Sequence, residues 1–69
     1  MRGINLVTPA DIGKRVTFQF ELPNGFLGEA VGTLEAWDQA AETFVVRKKD
    51  GSIARVPARG VHHGKVVGT

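Results

Sequence analysis

The sequence contains no cysteine and no tyrosine, and only one tryptophan and one methionine. Without cysteine the chain can form neither a disulfide nor a thiolate–metal site. The N-terminal residues lack the apolar core of a signal peptide, and no apolar run approaches the length of a membrane span. We therefore expect a cytoplasmic protein that has no membrane partner.

The small size of the chain limits how its stability can arise. Sixty-nine residues, of which 42% are hydrophobic, suffice for one small domain. For a chain this short, apolar burial and conformational entropy nearly cancel, so we expect modest stability or support from an attached domain or partner. We predict a single domain over 1–69, with a leader at 1–13 and a β-barrel at 14–67.

Residues that could carry chemistry are few and scattered. His62 and His63 are neighbours in a predicted strand, where they would point to opposite faces, and no carboxylate stands at ligand spacing from them. The serine and the threonines have no histidine near them in sequence, and no phosphate-binding glycine loop is present. We therefore predict a chain that is not an enzyme, with no catalytic residue, no cofactor-binding residue, no metal ligand and no cofactor.

The strongest structural signal is the stretch 43–57, where two valine- and isoleucine-rich runs flank Asp50-Gly51. A two-residue turn would mix charge and valine on both faces of the hairpin. A three-residue loop at 49–51, with Gly51 left-handed, pairs Lys48 with Ser52 and separates the faces, so we predict this loop. The core face would then hold Phe44, Val46, Ala54 and Val56, and the outer face Val45, Arg47, Ile53 and Arg55.

The remaining patterns predict an all-β protein. Residues 15–22 alternate strictly, which indicates a half-buried strand with Val16, Phe18, Phe20 and Leu22 inside. A second strand is predicted at 29–37, with a bend or bulge at Gly32, although a helix at 34–42 is an alternative. A 3-10 turn at 57–60 and a last strand at 61–67 complete a closed or nearly closed five-stranded barrel. A single capped turn is expected at 8–11, and Phe26 is expected to fold over one end of the barrel.

Charge is distributed unevenly along the chain. Residues 1–42 carry three basic and six acidic side chains, whereas residues 43–69 carry six basic and one acidic. A basic half of this kind can bind nucleic acid, but it can also balance the acidic half within one domain. Nucleic-acid-binding barrels usually place stacking aromatics among their basic residues, and this chain has few aromatics to offer.

Several short motifs resemble those of a known bacterial module. They are I-G-K-R-V at 12–16, L-P-N-G at 22–25, G-T-L-E-A-W at 32–37, V-V-R-K-K-D-G at 45–51 and K-V-V at 65–67. In this order they resemble the SH3-like domain at the N-terminus of certain GNAT-family N-acetyltransferases. The resemblance implies a five-stranded SH3-like barrel with an accessory role, because the catalytic machinery of that family lies in the domain that follows.

Two hypotheses for function follow from these patterns. The first is a non-catalytic SH3-like interaction module whose partner is an acetyltransferase domain or another protein. The second is a small nucleic-acid-binding β-barrel that uses the basic half at 43–69. The candidate interaction surface consists of Val45, Arg47, Lys49, Ile53, Arg55 and Arg59.

Overall fold

A computed structural model describes residues 4–67, and their secondary structure consists of strands and two short 3-10 turns. The strands are β1 (Ile4–Asn5), β2 (Arg15–Glu21), β3 (Leu27–Asp38), β4 (Thr43–Lys48), β5 (Ile53–Pro57) and β6 (Val61–Val66). They form one six-stranded sheet in the order β1-β6-β2-β3-β4-β5. The prediction of an all-β protein is confirmed. A search of residues 4–67 finds no helix with the length and apolar character needed to cross a membrane.

The leader supplies an additional strand, so the sheet has six strands where five were expected. Strand β1 pairs in parallel with β6, and the Leu6 N–H donates to the Gly64 carbonyl at 2.8 Å. Val7 follows and is only 3% exposed, so it belongs to the core. A strand of two residues is too short to leave an alternating pattern in the sequence, which is why the pattern alone did not decide the leader's place.

The two end strands, β1 and β5, do not pair with each other. Hydrogen bonding therefore does not close the sheet into a barrel, and the predicted closure is not found. The long β3 instead pairs with β2 through its first half and with β4 through its second half. The sheet bends around a single apolar cluster that both halves share.

The hairpin register is confirmed. Phe44 pairs with Val56, Val46 pairs with Ala54, and the Lys48 N–H donates to the Ser52 carbonyl at 2.8 Å. Gly51 has a φ of +90°, the left-handed conformation that the three-residue loop requires. This register buries Phe44, Val46 and Val56 completely or almost completely and leaves the alternate residues outside.

Strand β2 forms the other half of the core, as its alternation predicts. Val16, Phe18 and Phe20 are buried, and Leu22 packs against them from the turn that follows. The Phe18 and Phe44 ring centroids are 5.1 Å apart, so β2 and the β4–β5 hairpin meet directly in the core. Burial of such an aromatic pair is among the largest contributions that a small core can have.

Strand β3 departs from the prediction in its length and in the position of its irregularity. It runs to Asp38 as a strand, so the alternative of a helix at 34–42 is wrong. The register shifts between Leu34 and Ala36, which places the bulge at Glu35 and not at Gly32. Gly32 serves a different purpose, because a Cβ atom there would collide with the backbone carbonyl of Arg47.

The predicted turns at both ends of the sheet are present, although one aromatic is misplaced. A capping box joins Thr8 and Asp11 around a single 3-10 turn, and a second 3-10 turn covers Ala58–Gly60. Phe26, expected to fold over the core, is 71% exposed. Its N–H donates to Asn24 Oδ1 at 3.1 Å within the turn between β2 and β3, and this local bond holds the residue outside.

Candidate functional site

The six residues predicted as an interaction surface lie on and beside the outer face of the β4–β5 hairpin. We call this set the hairpin surface; its members are Val45, Arg47, Lys49, Ile53, Arg55 and Arg59. Val45 stands opposite Arg55 and Arg47 opposite Ile53, so each cross-strand pair joins an apolar side chain to a guanidinium. Val45 is half-buried, whereas Ile53 is 49% exposed. Lys49 lies in the hairpin loop, and Arg59 belongs to the 3-10 turn after β5.

Each arginine of the hairpin surface is paired with a carboxylate from the acidic half of the chain. Arg47 Nη2 is 2.9 Å from Glu35 Oε1, and Arg55 Nη2 is 2.7 Å from Asp38 Oδ2. Arg59 Nε lies 3.3 Å from Glu42 Oε1. The two shorter contacts are also hydrogen bonds, in which the guanidinium donates to the carboxylate.

The local structure of β3 and its following turn positions these carboxylates. Thr33 pairs with Arg47, and Glu35 stands two residues further along β3 at the bulge, where its carboxylate contacts the Arg47 guanidinium. Asp38 ends β3, and its Oδ1 accepts from the Ala41 N–H at 3.1 Å, so the same carboxylate orders the turn and holds Arg55. Glu42 has a φ of +50°, which is uncommon for a residue with a side chain and marks the tight entry into β4.

The ionisation of these groups is coupled through the same contacts. The hydrogen bond from Arg47 lowers the pKa of Glu35, and Glu35 in turn raises the pKa of Arg47. The pKa of Asp38 is lowered chiefly by the Ala41 N–H and then by Arg55. Glu35 and Asp38 therefore stay charged at neutral pH and offset Arg47 and Arg55.

This pairing explains the uneven charge along the sequence. Three of the six acidic residues of 1–42 lie against three basic residues of 43–69, so part of the apparent asymmetry is balanced within the domain. Exposed pairs of this kind contribute little to stability, but they reduce the positive potential that a distant anion would meet. The sequence could not reveal this, because Arg47 and Glu35 are twelve residues apart and meet only across two strands.

A second group of cations lies on the neighbouring part of the sheet without such partners. Within residues 4–67, no carboxylate comes within 4.0 Å of the cationic groups in this set. We call it the basic cluster; its members are Arg15, Lys48, Lys49 and Lys65. Sequence reasoning placed Lys49 in the candidate site but missed Arg15 and Lys65. Their positions in outward-facing strand registers were the available signal, but the neighbouring strands were not known.

The histidines do not form a metal site in the part of the chain that the structure describes. The pairing of β2 with β6 is irregular at this point, and His62 Nε2 lies 3.6 Å from Glu21 Oε1 instead of entering the core. His63 is exposed beside Ile4 of β1. Residues 4–67 contain no group of three or more histidine, aspartate or glutamate side chains placed to hold a metal ion.

Comparison with known proteins adds no assignment to these surfaces. The chain matches no protein-family model, no curated protein and no solved structure. A function for this chain therefore has to follow from the geometry of the two surfaces and from the resemblance of its motifs.

Proposed function

We propose that this chain is a non-catalytic interaction module with an SH3-like fold, and that its hairpin surface contacts a protein partner. The observation that carries this proposal is the position of Val45 and Ile53. These two apolar side chains lie on a face that is otherwise charged, between the Arg47–Glu35 and Arg55–Asp38 pairs. Apolar residues surrounded by a polar, arginine-containing rim are typical of protein interfaces.

The strand order supports an SH3-like arrangement. When the two-residue β1 is set aside, β2 to β5 pair in sequence and the last strand, β6, returns to pair with β2. A 3-10 turn at Ala58–Gly60 stands immediately before that last strand, as the resemblance implies. The hairpin motif V-V-R-K-K-D-G also coincides with β4 and its loop.

The partner that the resemblance implies is a GNAT-type acetyltransferase domain. On this proposal the acetyltransferase domain supplies all of the catalytic residues, while the present chain supplies a docking face. The small size of the domain fits this role, because a chain with a single small core gains stability when a partner covers its exposed apolar side chains. A cytoplasmic location, inferred from the lack of cysteine, belongs to the same proposal.

The test combines an activity assay with a binding assay. The isolated chain is assayed for acetyl transfer, and its binding to a separately produced acetyltransferase domain of the resembling family is measured by calorimetry. The informative variant is Ile53→Glu, since it places a charge in the apolar part of the hairpin surface. Leu27→Glu is the matched control, because Leu27 is 51% exposed and starts β3 outside the hairpin surface.

We expect no acetyl transfer by the isolated chain and binding that Ile53→Glu weakens at least about tenfold, as loss of a central interface contact does. Leu27→Glu should bind like the parent. Robust acetyl transfer without the second domain would contradict the accessory role. Equal binding by the two variants would contradict the assignment of the hairpin surface.

A further inference from the structure

The basic cluster is the part of the described chain where positive charge is least compensated. Arg15, Lys49 and Lys65 are exposed and Lys48 is half-buried. The three arginines of the hairpin surface and Lys14 each face a carboxylate at 2.7–3.3 Å. The cluster is therefore distinguished from the other cations by the absence of an ion-pair partner within residues 4–67, not by the number of charges.

Three members of the cluster lie close together, on β2, on β4 and in the hairpin loop. Arg15 at the start of β2 pairs with Thr33 of β3, and Gly32 pairs with Lys48 of β4. Arg15, Lys48 and Lys49 line the same depression, together with Val31, Gly32, Thr33 and Arg47 of the hairpin surface.

Lys65 extends the cluster on the other side of β2. It pairs with Thr17 of β2, which stands two residues from Arg15 on the same face of that strand. Lys65 and Arg15 are therefore diagonal neighbours across the β2–β6 strand pair. Adjacent strands are about 4.8 Å apart, so the cluster spans roughly 10–15 Å across β6, β2, β3 and β4. The side chains between the cations are small, namely Thr17, Val31, Gly32 and Thr33.

We propose that the basic cluster binds the phosphate backbone of double-stranded nucleic acid without reading its sequence. Duplex DNA carries one negative charge for about every 1.7 Å of its axis, so a surface of this width meets several phosphates at once. Lysine ammonium groups and an arginine guanidinium are the usual donors to phosphate oxygens, and the Thr17 and Thr33 hydroxyls stand between them.

The composition of the surface favours a duplex over the other polyanions. Single-strand binders stack bases on exposed aromatics, and the cluster contains none. The exposed aromatic of the described chain, Phe26, follows the far end of β2 from Arg15. A protein partner would need an apolar centre, and between Arg15, Lys48 and Lys49 the only exposed apolar side chain is Val31, at 42%; the exposed Ile4 and Leu6 lie at the margin, in the pocket beside Lys65.

Two acidic residues lie near the cluster: Glu29 lines a pocket with Lys65, and Asp50 stands in the hairpin loop. Asp50 accepts from the Ser52 hydroxyl at 2.7 Å, and this bond is the main cause of its lowered pKa, with a smaller effect of Lys48. Asp50 therefore stays charged and offsets part of the charge of Lys48. We count Arg15, Lys49 and Lys65 as the main phosphate contacts, which sets the expected salt dependence.

This inference goes beyond the proposed function and does not depend on it. The hairpin surface and the basic cluster share Lys49, and Arg47 lines the same depression as the cluster, but a test that changes Arg15 and Lys65 leaves every residue of the hairpin surface in place. On this proposal the basic cluster makes the main phosphate contacts. Arg47, Arg55 and Arg59 contribute less, because their charge is offset by carboxylates.

The experiment measures binding of the whole chain to a fluorescent 20-base-pair DNA duplex by anisotropy at 50, 100 and 200 mM NaCl. The variants are Arg15→Gln and Lys65→Gln. The matched control is Lys14→Gln, which removes the same charge from a lysine that is paired with Asp11 at 3.3 Å. A single strand of equal length and polyglutamate serve as competitors, and circular dichroism verifies that each variant is folded.

With three phosphate contacts, the affinity of the parent chain should fall about 40-fold between 50 and 200 mM NaCl. Arg15→Gln and Lys65→Gln should each weaken binding about tenfold at 100 mM and flatten the salt slope by about 1, whereas Lys14→Gln should change it less than about threefold. The proposal is overturned if the parent does not bind the duplex at 50 mM NaCl, or if Lys14→Gln loses as much affinity as Lys65→Gln. Stronger competition by the single strand or by polyglutamate than by unlabelled duplex would also overturn it.

Discussion

The hairpin surface and the basic cluster carry similar numbers of cations but differ in what surrounds them. The hairpin surface holds three arginines that face Glu35, Asp38 and Glu42, and it exposes apolar side chains between the ion pairs. The basic cluster holds cations without a carboxylate partner in residues 4–67, over small side chains. The first surface therefore suits a protein partner and the second suits a polyanion. The side chains around a cation therefore determine which kind of partner it can bind more than its charge alone does.

The difference originates in the register of β3. Glu35, at its bulge, contacts Arg47, and its last residue, Asp38, reaches Arg55. In the middle of the strand, Gly32 and Thr33 offer no acidic group to Arg15 or Lys48. The last part of β3 thus supplies two carboxylates to the hairpin surface, whereas Gly32 and Thr33 lie beside the basic cluster.

The largest effect is expected from removing the core that both surfaces share. Phe18 is 1% exposed and packs on Phe44 with ring centroids 5.1 Å apart, so Phe18→Ala should lower the free energy of unfolding by about 3–5 kcal/mol. That is a large part of the stability of a small domain, and both binding activities should be lost together. Urea denaturation measures the change.

The control for this variant is Phe26→Ala, because Phe26 is 71% exposed. It should alter the free energy of unfolding by no more than about 0.5 kcal/mol. Equal tolerance of the two substitutions would mean that the surfaces do not rest on a common core.

A smaller effect is expected from Gly32→Ala, which acts at the boundary of the two surfaces. The new Cβ would collide with the Arg47 carbonyl, so β3 and β4 would have to separate locally at a cost of about 1–3 kcal/mol. Thr33→Ala, one residue further along and exposed, is the control and should be nearly neutral. Thermal unfolding compares the two, and a Gly32→Ala variant as stable as Thr33→Ala would contradict the close approach of β3 to β4.

Because arginines of the hairpin surface are paired with carboxylates, removal of those carboxylates should strengthen binding of duplex DNA. In the double variant Glu35→Gln with Asp38→Asn, Arg47 and Arg55 lose their partners, and duplex affinity at 100 mM NaCl should rise about tenfold. Anisotropy with the same duplex measures it. The control removes both members of one pair, Glu35→Gln with Arg47→Gln, and should bind like the parent. An unchanged affinity in the first variant would mean that the ion pairs do not set the difference between the surfaces.

The smallest expected effect is a change in thermal stability at acidic pH. The lowered pKa values of Glu35 and Asp38 mean that folding favours their charged forms, so their contribution to stability is complete above the ordinary values of 4.5 and 3.8 and is lost as the pH falls through the lowered values. The melting temperature should therefore be level from pH 7 to 5 with respect to these groups and decline only in stronger acid. The variant Glu35→Gln with Asp38→Asn should decline less steeply there, and an identical acid profile would contradict the pairing.

Local patterns predicted those parts of the fold that depend on neighbours in sequence. The alternation of β2, the left-handed Gly51 with its register, the capping box at Thr8 and Asp11, and the 3-10 turn before β6 all arise within a few residues. Burial then follows from the register, since a shift by one residue would turn Phe44 and Val46 outward.

The features that the sequence did not reveal depend on distant strands. The two-residue β1 is held by β6, and the bulge at Glu35 is visible only through its pairing with β4. Phe26 looked like a core residue because its chemistry favours burial, but the bonds of its turn hold it outside. The sequence identified the types of residue in the candidate site. Which cations have a carboxylate partner, however, depends on how distant strands pair in the sheet.

The most direct test of this division is an NMR titration of the parent chain with the DNA duplex, followed through backbone amide shifts. The account predicts that the amides of Arg15, Lys48, Lys49 and Lys65 move progressively with added duplex while those of Ile53, Arg55 and Arg59 stay in place. Movement centred on Ile53, Arg55 and Arg59, with Arg15 and Lys65 unaffected, would contradict it.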